Sequence, residues 1–248
     1  MMPGAVSAQG ASQGKPGGAP LKADVHVVKR EPFERTVTTV GSLRANESVT
    51  LVSELSRRLL KITVEEGGEV AADDPLFKLD DSDLVAELNE IVVKMELANL
   101  NKVRVDNLLP SKAISKQEFD IAVSALNILE AQKRTKEVQI SKTVIRAPFA
   151  GRVGLRQVSE GAFVTPETPL IALQDLSRIK VDFPLPERYA GDVKRGQTFT
   201  FTVAGNEQVF HGTVAVIEPA IDTNTRSLMV RGVCGEPKGL LPGGFAEV

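Results

Sequence analysis

Val64-Glu-Glu-Gly-Gly-Glu-Val-Ala-Ala-Asp-Asp-Pro-Leu-Phe-Lys-Leu-Asp-Asp81 is repeated 94 residues later as Val158-Ser-Glu-Gly-Ala-Phe-Val-Thr-Pro-Glu-Thr-Pro-Leu-Ile-Ala-Leu-Gln-Asp175. The two stretches align without a gap. Identical pairs are Val64/Val158, Glu66/Glu160, Gly67/Gly161, Val70/Val164, Pro75/Pro169, Leu76/Leu170, Leu79/Leu173 and Asp81/Asp175. Each copy reads as strand, glycine turn, short strand, turn, strand. Gly67 and Gly161 are structural turn residues, free to take positive φ. Pro75 and Pro169 precede short apolar strands, where a missing N–H is tolerated. One copy alone is too small to bury its apolar face. Two copies packed about a pseudo-twofold axis make one small β-sandwich, expected over 48–81 plus 144–176.

The stretch between the copies, 82–143, has helical periodicity. Asp80, Asp81 and Ser82 offer N-caps with acidic first-turn residues. Apolar or small residues follow in steps of three and four at Leu84, Leu88, Ile91, Met95, Ala98, Val105 and Leu109, interrupted by Lys102. Leu109-Pro110-Ser111 stops this helix. Ser115-Lys-Gln-Glu118 is a capping box that starts a second one, whose face carries Phe119, Ala122, Leu126, Leu129 and Ile140. Two long helices with a tight link near 110–114 pack antiparallel as a coiled-coil hairpin. Facing positions then have numbers totalling about 224, which places Lys133 and Lys136 over Ile91 and Leu88, where their stems can snorkel. Arms of about 28 residues reach roughly 40 Å.

After residue 176 the pattern alternates: Ile179 to Phe183, Thr198 to Val203, Gln208 to Ile217 and Leu228 to Val233. Short strands with regular turns predict a small β-barrel over 177–248, joined by 37–47, with a short helix from Pro186 to Val193. The fold class is therefore mixed α and β, elongated and multi-domain. A helical hairpin is inserted between two halves of a sandwich, and a barrel follows.

Composition narrows the function. Net charge is −2 and aromatic content 4%, with no Trp, so neither a basic field nor stacking platforms point to nucleic acid. Cores must come from Val, Leu and Ile. Cys234 is the one cysteine and the histidines are His26 and His211, too few for a zinc site or a Cys/His dyad. Asp80, Asp81 and Asp83 cluster at a helix start, where capping explains them better than paired-carboxylate catalysis. No enzyme and no cofactor are expected. No run of about 18 apolar residues is present to cross a membrane. Met1 to Pro20 is rich in Gly, Ala, Ser, Gln and Pro and reads as a disordered leader over 1–23.

Each repeat copy resembles half of a biotinyl/lipoyl carrier domain. A carrier joins its halves through a tight turn bearing the modified lysine. Here about 65 residues of another kind intervene, and neither Lys78 nor Lys142 sits in such a turn, so lipoylation is not expected. The order lipoyl half, hairpin, lipoyl half, barrel resembles the periplasmic adaptors (membrane fusion proteins) of resistance-nodulation-division efflux pumps, within the HlyD-like superfamily. It also resembles adaptors of ABC-type exporters and type I secretion systems. The likeness covers 24–248 and rests on Ala147-Pro-Phe-Ala-Gly-Arg-Val153, Val158-Ser-Glu-Gly161, Glu218-Pro-Ala-Ile-Asp-Thr-Asn-Thr-Arg226 and Leu240-Leu-Pro-Gly-Gly-Phe-Ala246.

The resemblance implies a non-enzymatic subunit of the periplasm, associated with the inner membrane. Its partners would be an inner-membrane transporter (proton-driven, or ABC as the alternative), an outer-membrane channel and further copies of itself in a ring. The family's tip residues match Arg104, Leu108 and Ser115, which would dock on the channel. Arg57 stands where the family has Gly in the first half, while Gly151 keeps it in the second as a structural turn residue. Asp73 replaces another turn Gly. The resemblance implies a further membrane-proximal domain, to which, within this sequence, 24–36 is expected to contribute.

Overall fold

The computed structural model describes residues 36–110 and 113–248. The leader expected over 1–23, and all but the last residue of the segment expected over 24–36, lie outside them.

The two copies of the repeat are joined by exchanging partners. The first supplies β2 (Arg57–Ile62), β3 (Glu69–Val70) and β4 (Pro75–Leu79); β5 (Val144–Arg146) pairs with β4. The second supplies β6 (Gly151–Arg156), β7 (Phe163–Val164) and the start of β8 (Pro169–Pro186). β3 pairs with β6, Val70 opposite Gly151, and β7 pairs with β2, Val164 opposite Arg57. These are one pairing with the copies interchanged. Bonds outside the ladders obey the same exchange. The Leu59 N–H donates to the Ala162 carbonyl at 2.8 Å, and the Val153 N–H to the Gly68 carbonyl at 3.0 Å. The Glu66 carboxylate accepts from the Arg156 N–H at 3.0 Å, and Glu160 accepts from the Ile62 N–H at 2.9 Å. The repeated glutamates thus each secure the end of the other copy's strand, a role that needs an acceptor at that position and explains their identity.

Residues one repeat apart meet in one core. Leu59 and Val153, Leu76 and Leu170, Phe77 and Ile171, Leu79 and Leu173 are all buried in the same cluster. Gly67 and Gly161 take φ of 75° and 87°, and Asp73 also takes a positive φ of 69°. Gly151 is not in a turn. It opens β6, and a Cβ there would lie 2.4 Å from the Gln174 carbonyl oxygen of β8. Close approach of two strands, rather than positive φ, requires this glycine.

A second cluster lies among β1 (Val40–Val52), the later half of β8, β9 (Thr198–Val203), β10 (Asn206–Asp222), β11 (Ser227–Cys234) and β12 (Phe245–Glu247). These strands pair in the order β1-β12-β9-β10-β11-β8, and β8 pairs with β1, so the ladder returns to its start. An all-aliphatic core was expected, but Phe183, Phe199, Phe201 and Phe210 form a contiguous row with centroids 5.1, 5.9 and 5.4 Å apart. Four of the ten phenylalanines lie in this row. Gly212 and Gly232 admit the Phe199 ring, since a Cβ on either would come within 2.4 Å of it. The helix expected from Pro186 is a single 3-10 turn, Glu187–Tyr189.

β1 and β8 run through the positions where domain boundaries were expected, 47/48 and 176/177, and pair along most of their length. Their register shifts once near the middle, where Ala45 opposes Ile179 but Glu47 opposes Asp175. Side chains bracket that irregularity. Asn46 donates to Asp175 at 2.6 Å, and the Lys180 ammonium binds the Asn46 carbonyl and Glu47. Buried Asp182 accepts two bonds from Arg231, at 2.6 and 2.7 Å, and pairs with Arg44 at 2.9 Å.

α1 (Ser82–Leu108) and α2 (Lys116–Ser141) leave the repeat unit between β4 and β5. Their less exposed faces are those read from the periodicity: Leu84, Leu88, Ile91, Met95, Ala98 and Val105 on α1, and Phe119, Ala122, Leu126, Leu129 and Ile140 on α2. Glu87 pairs with Lys136 across the helices, fixing the register at a total near 223. Lys136 was expected only to snorkel. It makes this ion pair instead, while Lys133 pairs with Glu137 along α2 at 3.6 Å.

Replacing Gly151 with Ala forces β6 from β8 and is expected to cost about 1–3 kcal/mol in chemical denaturation. Gly154→Ala, whose Cβ would meet nothing nearer than 3.7 Å, is expected to stay within about 0.5 kcal/mol. Equal stabilities for the two variants would contradict the close-approach role of Gly151.

Candidate functional site

Of the residues singled out from the sequence, Arg104, Leu108 and Ser115 come together around the free end of the helix pair, and all three are exposed. Arg104 and Leu108 are one turn apart on α1. Ser115 is the N-cap of α2, and its hydroxyl accepts from the Glu118 N–H at 3.2 Å. The Glu118 carboxylate accepts from the Ser115 N–H at 2.8 Å, so both halves of the capping box are made. The Ser115 N–H, and the Ser115 hydroxyl donating at 3.1 Å, hold the Glu118 carboxyl below its usual range. Ser115 is therefore committed to starting α2. Arg104 offers a guanidinium able to bind carbonyls or carboxylates in a bidentate manner, and Leu108 adds an apolar surface, 41% exposed. Gly67, Gly151 and Gly161 lie in the repeat unit and shape the base rather than the tip.

The other end of the helix pair is fixed by charge. Arg57 donates to both Asp83 oxygens at 2.5 and 3.1 Å and to the Asp80 carbonyl at 3.1 Å. Gly151 occupies the equivalent place in the second copy, where no helix has to be held. The departure from glycine at 57 thus supplies a clamp on the first turn of α1. Lys78 binds Asp81 and donates to Thr143 at 3.0 Å, and Lys142 pairs with Glu54 at 2.7 Å. Both lysines that a carrier reading would consider are structural. The three aspartates expected as caps divide their roles. Asp80 accepts from the Ser82 N–H and hydroxyl, Asp81 is the N-cap but makes no side-chain cap bond, and Asp83 takes Arg57. The Arg57 hydrogen bonds hold the Asp83 carboxyl below its ordinary range, and the same contact raises Arg57.

Two features were not read from the sequence. One is the reciprocal glutamate pair, whose signal was their identity within the repeat. The other is a second apolar row on α1, Val93, Leu97 and Leu100, spaced by four and three and leading to Arg104. It lies on the side away from the α2 seam, and its heptad-like spacing was the available signal. Among the described residues no cluster of three or more His, Cys, Asp or Glu could hold a metal ion, and no helix is long and apolar enough to cross a membrane.

Comparison with known proteins agrees with this layout. Residues 47–174 match the RND MFP barrel-sandwich hybrid domain, and 179–248 match the CusB-like beta-barrel domain. The chain belongs to the RND membrane fusion protein family. Nodulation protein NolF of Rhizobium meliloti is 30% identical over 249 residues, covering 93% of this chain and 68% of that protein. Multidrug efflux pump subunit AcrA of Escherichia coli is 27% identical over 280 residues, covering all of this chain and 70% of AcrA. A crystal structure of a MacA-MexA chimera containing the Pseudomonas aeruginosa MexA alpha-hairpin domain superposes with a TM-score of 0.77 at 25% identity, over 85% of this chain and 78% of the chimera. The chain spans 60% of a matching Haemophilus influenzae protein and 66% of E. coli multidrug export protein AcrE.

A depressed carboxylate contributes stability above its unfolded pKa and loses it as pH falls through its lowered folded value. The Arg57–Asp83 clamp is therefore expected to hold at neutral pH and release only in acid. In Arg57→Ala, an NMR titration of Asp83 is expected to return to the ordinary carboxylate range. An unchanged Asp83 titration would contradict the clamp.

Proposed function

We propose that this chain is the periplasmic adaptor of a tripartite efflux pump, linking an inner-membrane transporter to an outer-membrane channel. In this reading α1 and α2 are an antiparallel coiled-coil hairpin over 82–143, inserted between the halves of a lipoyl-like sandwich (48–81 plus 144–176). A small β-barrel (37–47 plus 177–248) follows. The subunit breaks no bond. It carries force and alignment between two membranes, with energy supplied by a proton-driven transporter. Copies surround the pump axis as a ring, and their tips, through Arg104 and Leu108, meet the channel.

The observation that carries this reading is the asymmetry between the two ends of the helix pair. The base is held by three sets of ionic contacts to the repeat unit, while Arg104, Leu108 and Ser115 at the far end are exposed. A rod fixed at one end and open at the other suits a contact made at a distance. The narrow seam supports it too, because most of each helix surface is polar. The family supports the pump context, as does the similarity to proteins such as the solvent efflux pump periplasmic linker SrpA of Pseudomonas putida. The irregularity between β1 and β8 near Asn46 and Ser177 is the place for a hinge between sandwich and barrel.

The test is affinity purification of the full-length protein from its own host after mild cross-linking. Recovery of an inner-membrane transporter with no ATPase subunit, together with an outer-membrane channel, is expected. Arg104→Asp, at unchanged abundance, is expected to lower channel recovery several-fold. A co-purifying ATPase would replace the proton-driven transporter with an ABC exporter. Recovery of neither membrane partner would overturn the adaptor reading.

A further inference from the structure

The second apolar row on α1 has a matching surface on α2. Leu97 and Leu100 are 68% and 63% exposed, and Ile121 and Ile128 are 61% and 58% exposed. Large aliphatic side chains this exposed, aligned along a helix, form a patch that asks for a partner. The α2 surface is a shallow groove in which Ile121 and Ile128 stand on either side of the small residues Ser124 and Ala125, with Asp120 at one end. The α1 row ends at Arg104. Leu97 and Leu100 are a pair of knobs, and the α2 groove between Ile121 and Ile128 is a hole long enough to receive them.

The register decides which knob meets which hole. Glu87 and Lys136 are side by side, so residues whose numbers total about 223 lie at one height along the helix pair. Leu97 and Leu100 are then level with the span between Ile121 and Ile128, and Arg104 is level with Asp120. Among the described residues neither Arg104 nor Asp120 has an ion-pair partner within the chain. Two parallel copies related by rotation about an axis along the helices keep equal heights together. Such a rotation brings the α1 row of one copy to the α2 groove of the next with apolar facing apolar and Arg104 facing Asp120. The two surfaces sit on different helices, so the contact is head-to-tail and propagates around a ring rather than closing as a two-fold dimer.

We propose that a second copy of this chain occupies the α2 groove: Leu97 and Leu100 of one copy seat between Ile121 and Ile128 of its neighbour, and Arg104 pairs with the neighbour's Asp120. This rests on the ring-forming adaptor reading and assigns its lateral contact to named residues. It also gives Arg104 a partner other than the channel. The ion pair sets register and excludes wrong neighbours, while the aliphatic contact supplies most of the attraction.

The test uses the purified full chain with Leu100→Cys in one sample and Ser124→Cys in another, mixed with a short bismaleimide. Cys234 is buried, and the protein without added cysteines measures its background. The mixture is expected to form cross-linked dimers several-fold faster than Leu100→Cys mixed with Ala131→Cys, a position outside the groove. Arg104→Asp or Asp120→Arg alone, in both partners, is expected to slow cross-linking by about fivefold. Mixing the Arg104→Asp chain with the Asp120→Arg chain restores opposite charges at the contact and is expected to recover the original rate. No preference for position 124, or no recovery on mixing, would overturn the assignment. Failure here with both membrane partners still recovered from cells removes only the lateral contact. Intact cross-linking with neither partner recovered removes only the adaptor reading.

Discussion

Neither copy of the repeat can close its own sheet. β2 needs β7, β6 needs β3, and the ends of β2 and β6 are secured by a glutamate from the opposite copy. Burial of Leu59, Leu79, Val153 and Leu173 in one cluster follows from that exchange. Everything else is attached to this unit. The chain between the copies is free to be long, because the exchange fixes its two ends close together whatever lies between them. The cost of closing a longer loop rises only slowly with its length, and two helices that pair with each other reduce it further.

An insertion that is only tethered would swing. Arg57 prevents this by binding Asp83 in the first turn of α1, Lys78 by binding Asp81 before α1 and Thr143 after α2, and Lys142, the C-cap of α2, by pairing with Glu54 between β1 and β2. These contacts are partly exposed, and each alone stabilises little. Their value is angular, since together they restrict the direction of the helix pair relative to the strands. At the opposite edge, β1 and β8 continue from the repeat core into the phenylalanine-rich core. The irregularity there is bracketed by Asn46, Asp175 and Lys180. Ionic contacts at one joint and a bulged two-stranded ladder at the other suit the proposed adaptor, which has to pass movement between two membranes.

Much of this was legible in the sequence because period and identity are direct consequences of packing. The gapless repeat, the steps of three and four from Leu84 to Val105, and the Ser115–Glu118 box each have a one-to-one physical counterpart. Gly67 and Gly161 took the positive φ their turns need. Other features were less legible. Gly151 is required by a neighbouring strand more than twenty positions away, which no local pattern encodes. The Phe row forms from residues on three strands, so composition alone suggested an aliphatic core. Lys136 was read by its stem and not by its charge, because Glu87 lies on the other helix. Arg57 looked like a departure from a glycine position until its target, Asp83, was in place beside it.

Native-state hydrogen exchange tests the central claim most directly. If the two copies are one cooperative unit, amides of 57–62, 76–79, 151–156 and 170–173 are expected to share a single highest opening free energy and to respond together to denaturant. The exposed turns of the helix pair near Arg104 should open at lower cost. Two distinct opening free energies, one for each copy, would contradict the account.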